Sequence, residues 1–456
     1  MAQERRGEWG SKIGFILAAA GSAVGLGNVW KFPYITGENG GGLFVIIYLI
    51  CIVLVGLPIM IGEVMLGRMT QRSPVGAFRK LDGEKSLWQG VGWLGVLSGF
   101  VILSYYSVVA GWALEYVVIA AKGEMSSGNP ALMSERFGEV SGDGPGATLW
   151  HVAFMALTVA IVIGGVQKGV EIAARVLMPL LLLMFLALLV YATTLEGFGE
   201  GFNFVFGFHT DKLGAGSILE ALGHSFFTLS VGMGAMLTYG SYLRKDDDII
   251  GASVAITIID TLVAIMACLV LFPITFTYGM EPEAGPSLVF TNIPMAFAQI
   301  PGSTIWALIF FLLLVFAALT SAISLLEVCS AYFVDELGWS RTLAVPVCGL
   351  TITLLGVPSA LTFSTATFGS GMEAAIGKSW FDLFDYVSSN WMLPLCGLGI
   401  SVFAAWKLGD EARRVQFEAG STLGKLQGLY VLWLQVLRYV VPAAIVVVML
   451  HAIGLF

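Results

Sequence analysis

Val24-Gly25-Leu26-Gly27 in the first apolar stretch and Val231-Gly232-Met233-Gly234 in the sixth are one pattern met twice, five apolar stretches apart. Helices broken by glycine at equivalent places, with that spacing, enter a membrane from opposite sides, which marks an inverted-topology repeat with discontinuous helices. Gly-rich tetrapeptides also recur where membrane helices pack closely, so the match taken alone has a second explanation.

The surrounding sequence supplies the membrane. Over 456 residues, 57% are hydrophobic and 12% charged, about half the charge fraction usual in a soluble domain. A hydropathy window of about 19 residues places spans near 12–36, 41–67, 88–121, 149–166, 170–194, 217–242, 248–279, 303–336, 341–357, 380–405 and 428–454. The fold expected is an all-α polytopic membrane protein in one transporter-like domain, 1–456. It holds two inverted five-helix repeats, about 12–194 and 217–405, with helices 1 and 6 broken, plus an eleventh helix at about 428–454.

Met1–Ser11 is polar with no small-residue cleavage site after the first apolar run, so that helix is expected to be permanent. Gly67–Leu87 carries Arg68, Arg72, Arg79, Lys80 and Lys85, whereas Gly123–Gly146 has one basic residue against several acidic ones. The positive-inside rule then predicts a cytoplasmic N-terminus in the plasma membrane and, for an odd count, an extracellular C-terminus. Trp9, Trp88, Trp93, Trp112, Trp150 and Trp406 fall near span ends, as interfacial aromatics do. Three longer polar-flanked stretches, Lys122–Thr148, Leu195–Gly216 and Gly279–Ser303, are expected outside, the last with a short helix over Asn292–Gln299. Lys407–Lys425 reads as a charged connector without a domain of its own.

Five cysteines, Cys51, Cys268, Cys329, Cys348 and Cys396, lie in apolar segments without CxxC spacing. They suggest neither a disulfide framework nor a metal site. The net charge of -8 is spread over loops, and no basic, aromatic-interleaved surface argues for nucleic acid. His151, His209, His224 and His451 are scattered, so no enzyme constellation is evident and the chain is expected not to be an enzyme.

Inside hydrocarbon an unsatisfied backbone group costs several kcal/mol, so helix breaks persist where ions, ligands or protein groups pair them. The first break offers Gly21, Ser22, Ala23, Val24 and Asn28; the second offers Ser225, Thr228 and Ser230. Their carbonyl and hydroxyl oxygens suit an alkali cation, and free amides at half-helix starts suit a carboxylate. Thr320, Ser321 and Ser324 form a third polar cluster, for which back-bonding to their own helix is the plainer explanation. Asp260 and Glu63 are carboxylates within apolar helices, expensive enough to suggest function, although a buried fold determinant is the alternative.

The run Ala20-Gly-Ser-Ala-Val-Gly-Leu-Gly-Asn-Val-Trp-Lys-Phe-Pro-Tyr34, then Glu38-Asn-Gly-Gly-Gly42, Ser225-Phe-Phe-Thr-Leu-Ser230 and Phe316-Ala-Ala-Leu-Thr-Ser321 resembles the signatures of the neurotransmitter:sodium symporters, in order along the whole chain. The resemblance implies a sodium-coupled symporter importing a zwitterionic hydrophobic L-amino acid across the lipid bilayer by alternating access, with Na+ as the coupling ion. It also implies two ion sites. One would use Gly21, Val24, Ala317, Thr320 and Ser321; the other Ala23, Asn28, Thr228, Asp260 and the substrate carboxylate. Relatives commonly carry Asn at the Asp260 position with chloride, or a Glu one turn later where this chain has Ala264, so chloride-independent transport is expected.

Amine-carrying relatives have Asp at the Gly25 position; Gly25 leaves space for a substrate carboxylate. The implied substrate site comprises Ser22, Ala23, Gly27, Ile102, Tyr106, Phe227, Thr228, Ser230, Met233, Ser321, Ser324 and Leu325. Met233 replaces an aromatic of the leucine-carrying relative, and a flexible Met suggests breadth, aromatic substrates included. Standing alone, such an aromatic and Met set is more often core than pocket. The resemblance further implies gates at Lys31 and Asp385 and at Arg6, Asp335 and Tyr242, with Trp9 packing the N-terminal segment. Gly169 and Pro179 in the fifth span would form a hinge that unwinds to water, although a static proline kink fits the same residues. An amino-acid sensor on the same fold is the alternative function. No nucleic acid and no obligate protein partner are expected.

Overall fold

The computed structural model describes residues 7–125, 130–208, 212–280, 288–299, 302–364 and 367–452, and among these every regular element is a helix. Among the described residues nine helices are long and apolar enough to cross a membrane, and Lys12–Ala23 with Gly27–Glu38, bent by 49°, make a tenth if the pair is one span. The sixth expected span is two short helices, Ala215–Thr228 and Ala235–Gly240, with non-helical backbone between them. Both interruptions foreseen from the glycine pattern are therefore present, and the described helices follow the expected order of spans.

Boundaries shift by a few residues, which is where capping and proline override hydropathy. The fourth and fifth spans are Gly144–Val162 and Val166–Ala192, and the ninth runs Arg341–Ala360. Pro346 and Pro358 sit inside that ninth helix without ending it. The second span continues to Thr70, where Gln71 in the left-handed region closes it.

The connectors hold more helix than expected. Pro74–Asp82 starts on Ser73, whose hydroxyl accepts from the Gly76 amide, with Pro at its first position, the arrangement favoured at helix starts. Pro130–Gly142 and Phe198–Phe206 occupy two of the long polar-flanked stretches. The helix expected at Asn292–Gln299 begins earlier, running from a wide turn at Leu288–Asn292 into Ile293–Ala298. Asp410–Glu418 lies in the charged connector. There the buried Arg413 guanidinium donates to the carbonyls of Ala404, Ala405 and Leu408, closing the open end of the tenth span.

Two tryptophans differ from the interfacial expectation. Trp112 is fully buried among Phe137, Phe290 and Phe363, and Trp9 is 3% exposed. Both pack on protein, since aromatic neighbours from other segments cover them. The five cysteines are buried and free, as expected of small core residues.

The third and eighth spans pack along each other as the central scaffold. Against them lie the first and sixth, and the two breaks meet in the protein interior. Residues 22–29 and 228–243 are almost wholly buried.

Candidate functional site

The break in the sixth span is built from positive-φ backbone at Ser230 (51°), Gly232 (78°) and Gly234 (73°). Glycine adopts this region freely, whereas Ser230 is a non-glycine residue held there by its surroundings. Its hydroxyl donates to the Ser22 carbonyl at 2.8 Å, tying one break to the other. Glu63 of the second span meets the amides that unwinding exposes: Gly232 N donates to Oε1 at 2.6 Å and Leu237 N to Oε2 at 3.3 Å. Its role as a carboxylate inside the membrane is thus to pair broken-helix backbone.

At the first break, Val24 leaves helical geometry with ψ 100°. The Leu26 amide points at the Tyr106 hydroxyl, 3.2 Å away. A cavity of about 20 Å³ beside it is lined by Ser22, Ala23, Gly25, Gly27, Ile102, Tyr106, Phe227, Ser230, Met233, Ser321 and Leu325. Ten of the expected substrate residues therefore meet around one space. Thr228 and Ser324 do not line it. Ser324 receives the Ser22 hydroxyl at 2.7 Å and donates to the Ser321 carbonyl at 2.8 Å, so it fixes the floor from behind. Gly25, absent from the expected list, lines the cavity; a Cβ there would sit 2.6 Å from Ser321 Oγ and 2.9 Å from Tyr106 Oη. The space is about that of one water molecule, a closed-down pocket.

Beside the cavity lie two clusters of oxygen. In the first, Ser321 Oγ is 3.4, 3.1 and 3.5 Å from the carbonyls of Gly21, Ser22 and Val24. Thr320 Oγ1 is 3.0 Å from the Ala317 carbonyl. In the second, Asp260 is fully buried and accepts from Asn28 Nδ2 at 2.8 Å and Thr228 Oγ1 at 3.0 Å. Asn28 Oδ1 turns to the Gly25 amide, 3.0 Å away. Every residue foreseen for an ion, Ala23 included, lies at one of the two breaks or in the seventh or eighth span. Both donor sets consist of hard oxygens, the chemistry an alkali cation requires.

Ser225 donates only to the Leu222 carbonyl of its own helix, so of the polar residues at the second break it stands apart from the site.

At one end of the cavity, Lys31 Nζ lies 3.9 Å from Asp385 Oδ2 and 5.3 Å from the centre of the Phe227 ring. Asp385 is itself held by Tyr105 and Ser389, both at 3.0 Å. A wider space of about 190 Å³ opens there, with Trp30, Lys31, Tyr105, Tyr106 and Phe227 among its walls. At the other end, Trp9 Nε1 donates to the Tyr239 carbonyl at 2.9 Å and the Trp9 amide to the Tyr242 carbonyl at 3.1 Å.

Arg6, expected beside Asp335 and Tyr242, lies outside the described residues. The Tyr242 hydroxyl donates to Glu327 at 2.6 Å. Arg341 pairs with the same carboxylate, its Nη1 at 3.0 Å from Oε1, and the Asp335 carbonyl accepts from Arg72 at 3.3 Å. Glu327 and Arg341 were missed from sequence. The signal was there, since Glu327 is a carboxylate in an apolar helix, as Asp260 is. Gly169 falls in a wide helical turn, Val166–Glu171, and Pro179 lies inside the helix that follows.

The sodium:neurotransmitter symporter family matches this chain over residues 6–129 and 138–455. An uncharacterized sodium-dependent transporter of Bacillus subtilis is 38% identical over 455 residues, covering 100% of this chain and 99% of its own. The sodium- and chloride-dependent neutral and basic amino acid transporter B(0+) of Homo sapiens is 24% identical, covering 97% of this chain and 78% of its own. Among solved structures, that of MhsT in complex with L-phenylalanine superposes with a TM-score of 0.90 at 42% identity, covering 98% of this chain and 100% of MhsT. With the two breaks, the cavity between them and these similarities together, the chain is a sodium-dependent transporter belonging to the sodium:neurotransmitter symporter family.

Proposed function

We propose that this transporter imports zwitterionic hydrophobic amino acids with sodium and without chloride, by alternating access across the plasma membrane. The observation that carries the reading is the cavity at the two breaks: apolar Ile102, Phe227, Met233 and Leu325 on one side, free backbone and the Tyr106 hydroxyl on the other. A substrate carboxylate suits the Gly25–Gly27 amides and Tyr106, and its ammonium the carbonyl and hydroxyl oxygens around Ser22, Thr228 and Ser230. The side chain needs more room than the cavity offers. Met233, flexible and on non-helical backbone, is the residue whose movement supplies it. MhsT, captured with L-phenylalanine, supports an aromatic substrate.

One sodium ion would lie among Gly21, Val24, Ala317, Thr320 and Ser321, the second among Ala23, Asn28, Thr228 and Asp260. Asp260 accepts from two neutral groups, and a buried carboxylate without a cation beside it is costly. A bound cation removes that cost, and the fixed charge takes the role chloride has elsewhere. Substrate carboxylate completes the second ion shell, so each ligand favours the state that binds the other. Inward movement of sodium down its gradient, about 2.3 kcal/mol per charge per 100 mV, then drives accumulation. With the N-terminus cytoplasmic, the Lys31–Asp385 end faces outward and the Trp9 end inward. Gly169 and Pro179 would let the inward end of the fifth span unwind and admit water to an ion site.

Uptake of radiolabelled leucine and tryptophan into liposomes tests this, with an inward sodium or potassium gradient and with chloride replaced by gluconate. Sodium-driven, chloride-independent accumulation is expected. Accumulation that stops in gluconate refutes the role given to Asp260; binding without accumulation refutes transport in favour of a sensor.

A further inference from the structure

Two guanidinium groups converge on the last turn of the tenth span. That span starts beside Asp385 at the Lys31 end and finishes, at the Trp9 end, in the wide turn Phe403–Lys407. The last span passes it with a wide turn of its own, Val436–Val440, and Ser401 Oγ donates to the Leu437 carbonyl at 2.6 Å between them. Such turns are frequent at functional positions. The Ala405 carbonyl accepts from Arg413 Nη1 at 3.2 Å and from Arg438 Nε at 3.0 Å. Asp410, the carboxylate that both cations act on, is taken by Arg413 Nη2 and the Tyr430 hydroxyl, each at 2.6 Å. Arg438 thus brings a positive charge without a carboxylate of its own, and among the described residues its Nη groups have no acceptor.

The surroundings of Arg438 face outward. Its guanidinium lies 5.3 Å from the centre of the Trp406 ring, which Tyr439 meets edge-on at 5.7 Å. Trp406 is 55% exposed and Tyr439 57%, as aromatics at the headgroup level are. The depth agrees. Lys407, next along, pairs with Asp82 at 2.9 Å, and the first turns of the last span pack Tyr430 and Trp433 on Phe417 of the charged connector. Arg438 therefore lies where hydrocarbon gives way to headgroups. Deeper along the same span Val440, Val446 and Val447 are exposed, an apolar track for an acyl chain. A cation at this depth is costly without an anion or water beside it, and the guanidinium fork matches a pair of phosphate oxygens.

We propose that Arg438, Trp406 and Tyr439 hold the headgroup phosphate of an anionic phospholipid in the leaflet at the Trp9 end. The phosphate accepts from the Arg438 Nη groups, and one acyl chain follows the exposed valines. A zwitterionic lipid brings a cation of its own that competes with Arg438 for the phosphate, so a lipid with net negative charge fits better. The site stands apart from the cavity, both oxygen clusters and both closures.

Native mass spectrometry of the full chain in detergent, titrated with phosphatidylglycerol or with phosphatidylcholine, tests this. One phosphatidylglycerol should bind about tenfold more tightly than phosphatidylcholine, the difference expected of a charged hydrogen bond. Arg438→Gln should abolish the preference, and Arg438→Lys, which keeps the charge without the fork, should retain part of it. Trp406→Leu, at an exposed position, keeps the test open if Arg438→Gln does not fold; it should weaken phosphatidylglycerol about threefold. Lys425→Gln, an equal loss of charge on the connector, should change binding less than about twofold. Equal binding of the two lipids, or a preference that survives Arg438→Gln, overturns the proposal and leaves Arg438 a snorkelling cation. A loss as large in Lys425→Gln overturns it in favour of bulk charge, and unchanged binding in Trp406→Leu removes the ring and the site with it. Displacement of the lipid by millimolar inorganic phosphate makes free phosphate the ligand, and a dimer that Arg438→Gln dissociates makes this face a contact between copies; either result overturns the lipid site.

Discussion

At the Lys31 end the cavity is closed by a pair 3.9 Å apart whose side chains are 25% and 36% exposed. At the Trp9 end Glu327 is fully buried beside Arg341, and Trp9 is 3% exposed between Tyr239 and Tyr242. Both ends hold an ion pair and aromatics, yet their energetics differ. An exposed pair is worth at most about 1 kcal/mol, whereas removing one partner of a buried pair costs roughly 3–5 kcal/mol. The difference teaches which side this conformation commits to: it is bolted at the Trp9 end and lightly latched at the Lys31 end. Lys sharpens the contrast, since it is a point charge without the forked geometry of Arg.

The strongest way to break that comparison is Glu327→Ala. It removes the buried carboxylate that Arg341 and the Tyr242 hydroxyl share, and a cost of roughly 3–5 kcal/mol should shift the population toward opening at the Trp9 end. A cysteine introduced near Tyr239 should then react with a membrane-impermeant thiol reagent from that side at least tenfold faster. An unchanged rate would mean that the buried pair plays no part in closure.

Trp9→Phe is milder, keeping most of the apolar contact while losing the indole bond to the Tyr239 carbonyl. About 1 kcal/mol, a roughly fivefold rise in the same reactivity, is expected. A rise as large as that of Glu327→Ala would put the closure in the indole itself.

Lys31→Ala should cost less than about 1 kcal/mol, read as a severalfold faster release of labelled substrate at the Lys31 end, with the effect shrinking in high salt. Lys31→Arg should slow release. An effect of Lys31→Ala that ignores salt would show that packing, not charge, makes this latch.

Smallest is Phe227→Leu, which removes the ring under the Lys31 ammonium. About 0.5 kcal/mol is expected from the cation–ring contact, barely a twofold change in release rate. A tenfold change would make the ring the principal lid.

Much of the site was legible because its chemistry is local. The two Gly-interrupted tetrapeptides lie at the two breaks, and the polar residues flanking them are where the oxygens gather. Asp260 declared itself by being a carboxylate in an apolar helix. Glu327 did the same and was passed over, because the Tyr242 hydroxyl that it receives lies 85 residues away in sequence. Ser324 was expected at the substrate from the resemblance; here it receives the Ser22 hydroxyl and lies behind the cavity lining.

The sequence by itself determined the membrane class, the order of the spans and the positions of the breaks, since these follow from apolar length and from glycine's backbone freedom. Tertiary structure alone decided which way each polar side chain spends its hydrogen bonds. Glu63 pairs Gly232 and Leu237, Asn28 turns its amide on Asp260, and Tyr242 goes to Glu327. In a medium without water each polar group must take whatever partner the packed helices bring within about 3 Å, and that is a property of helix placement, which no local pattern encodes.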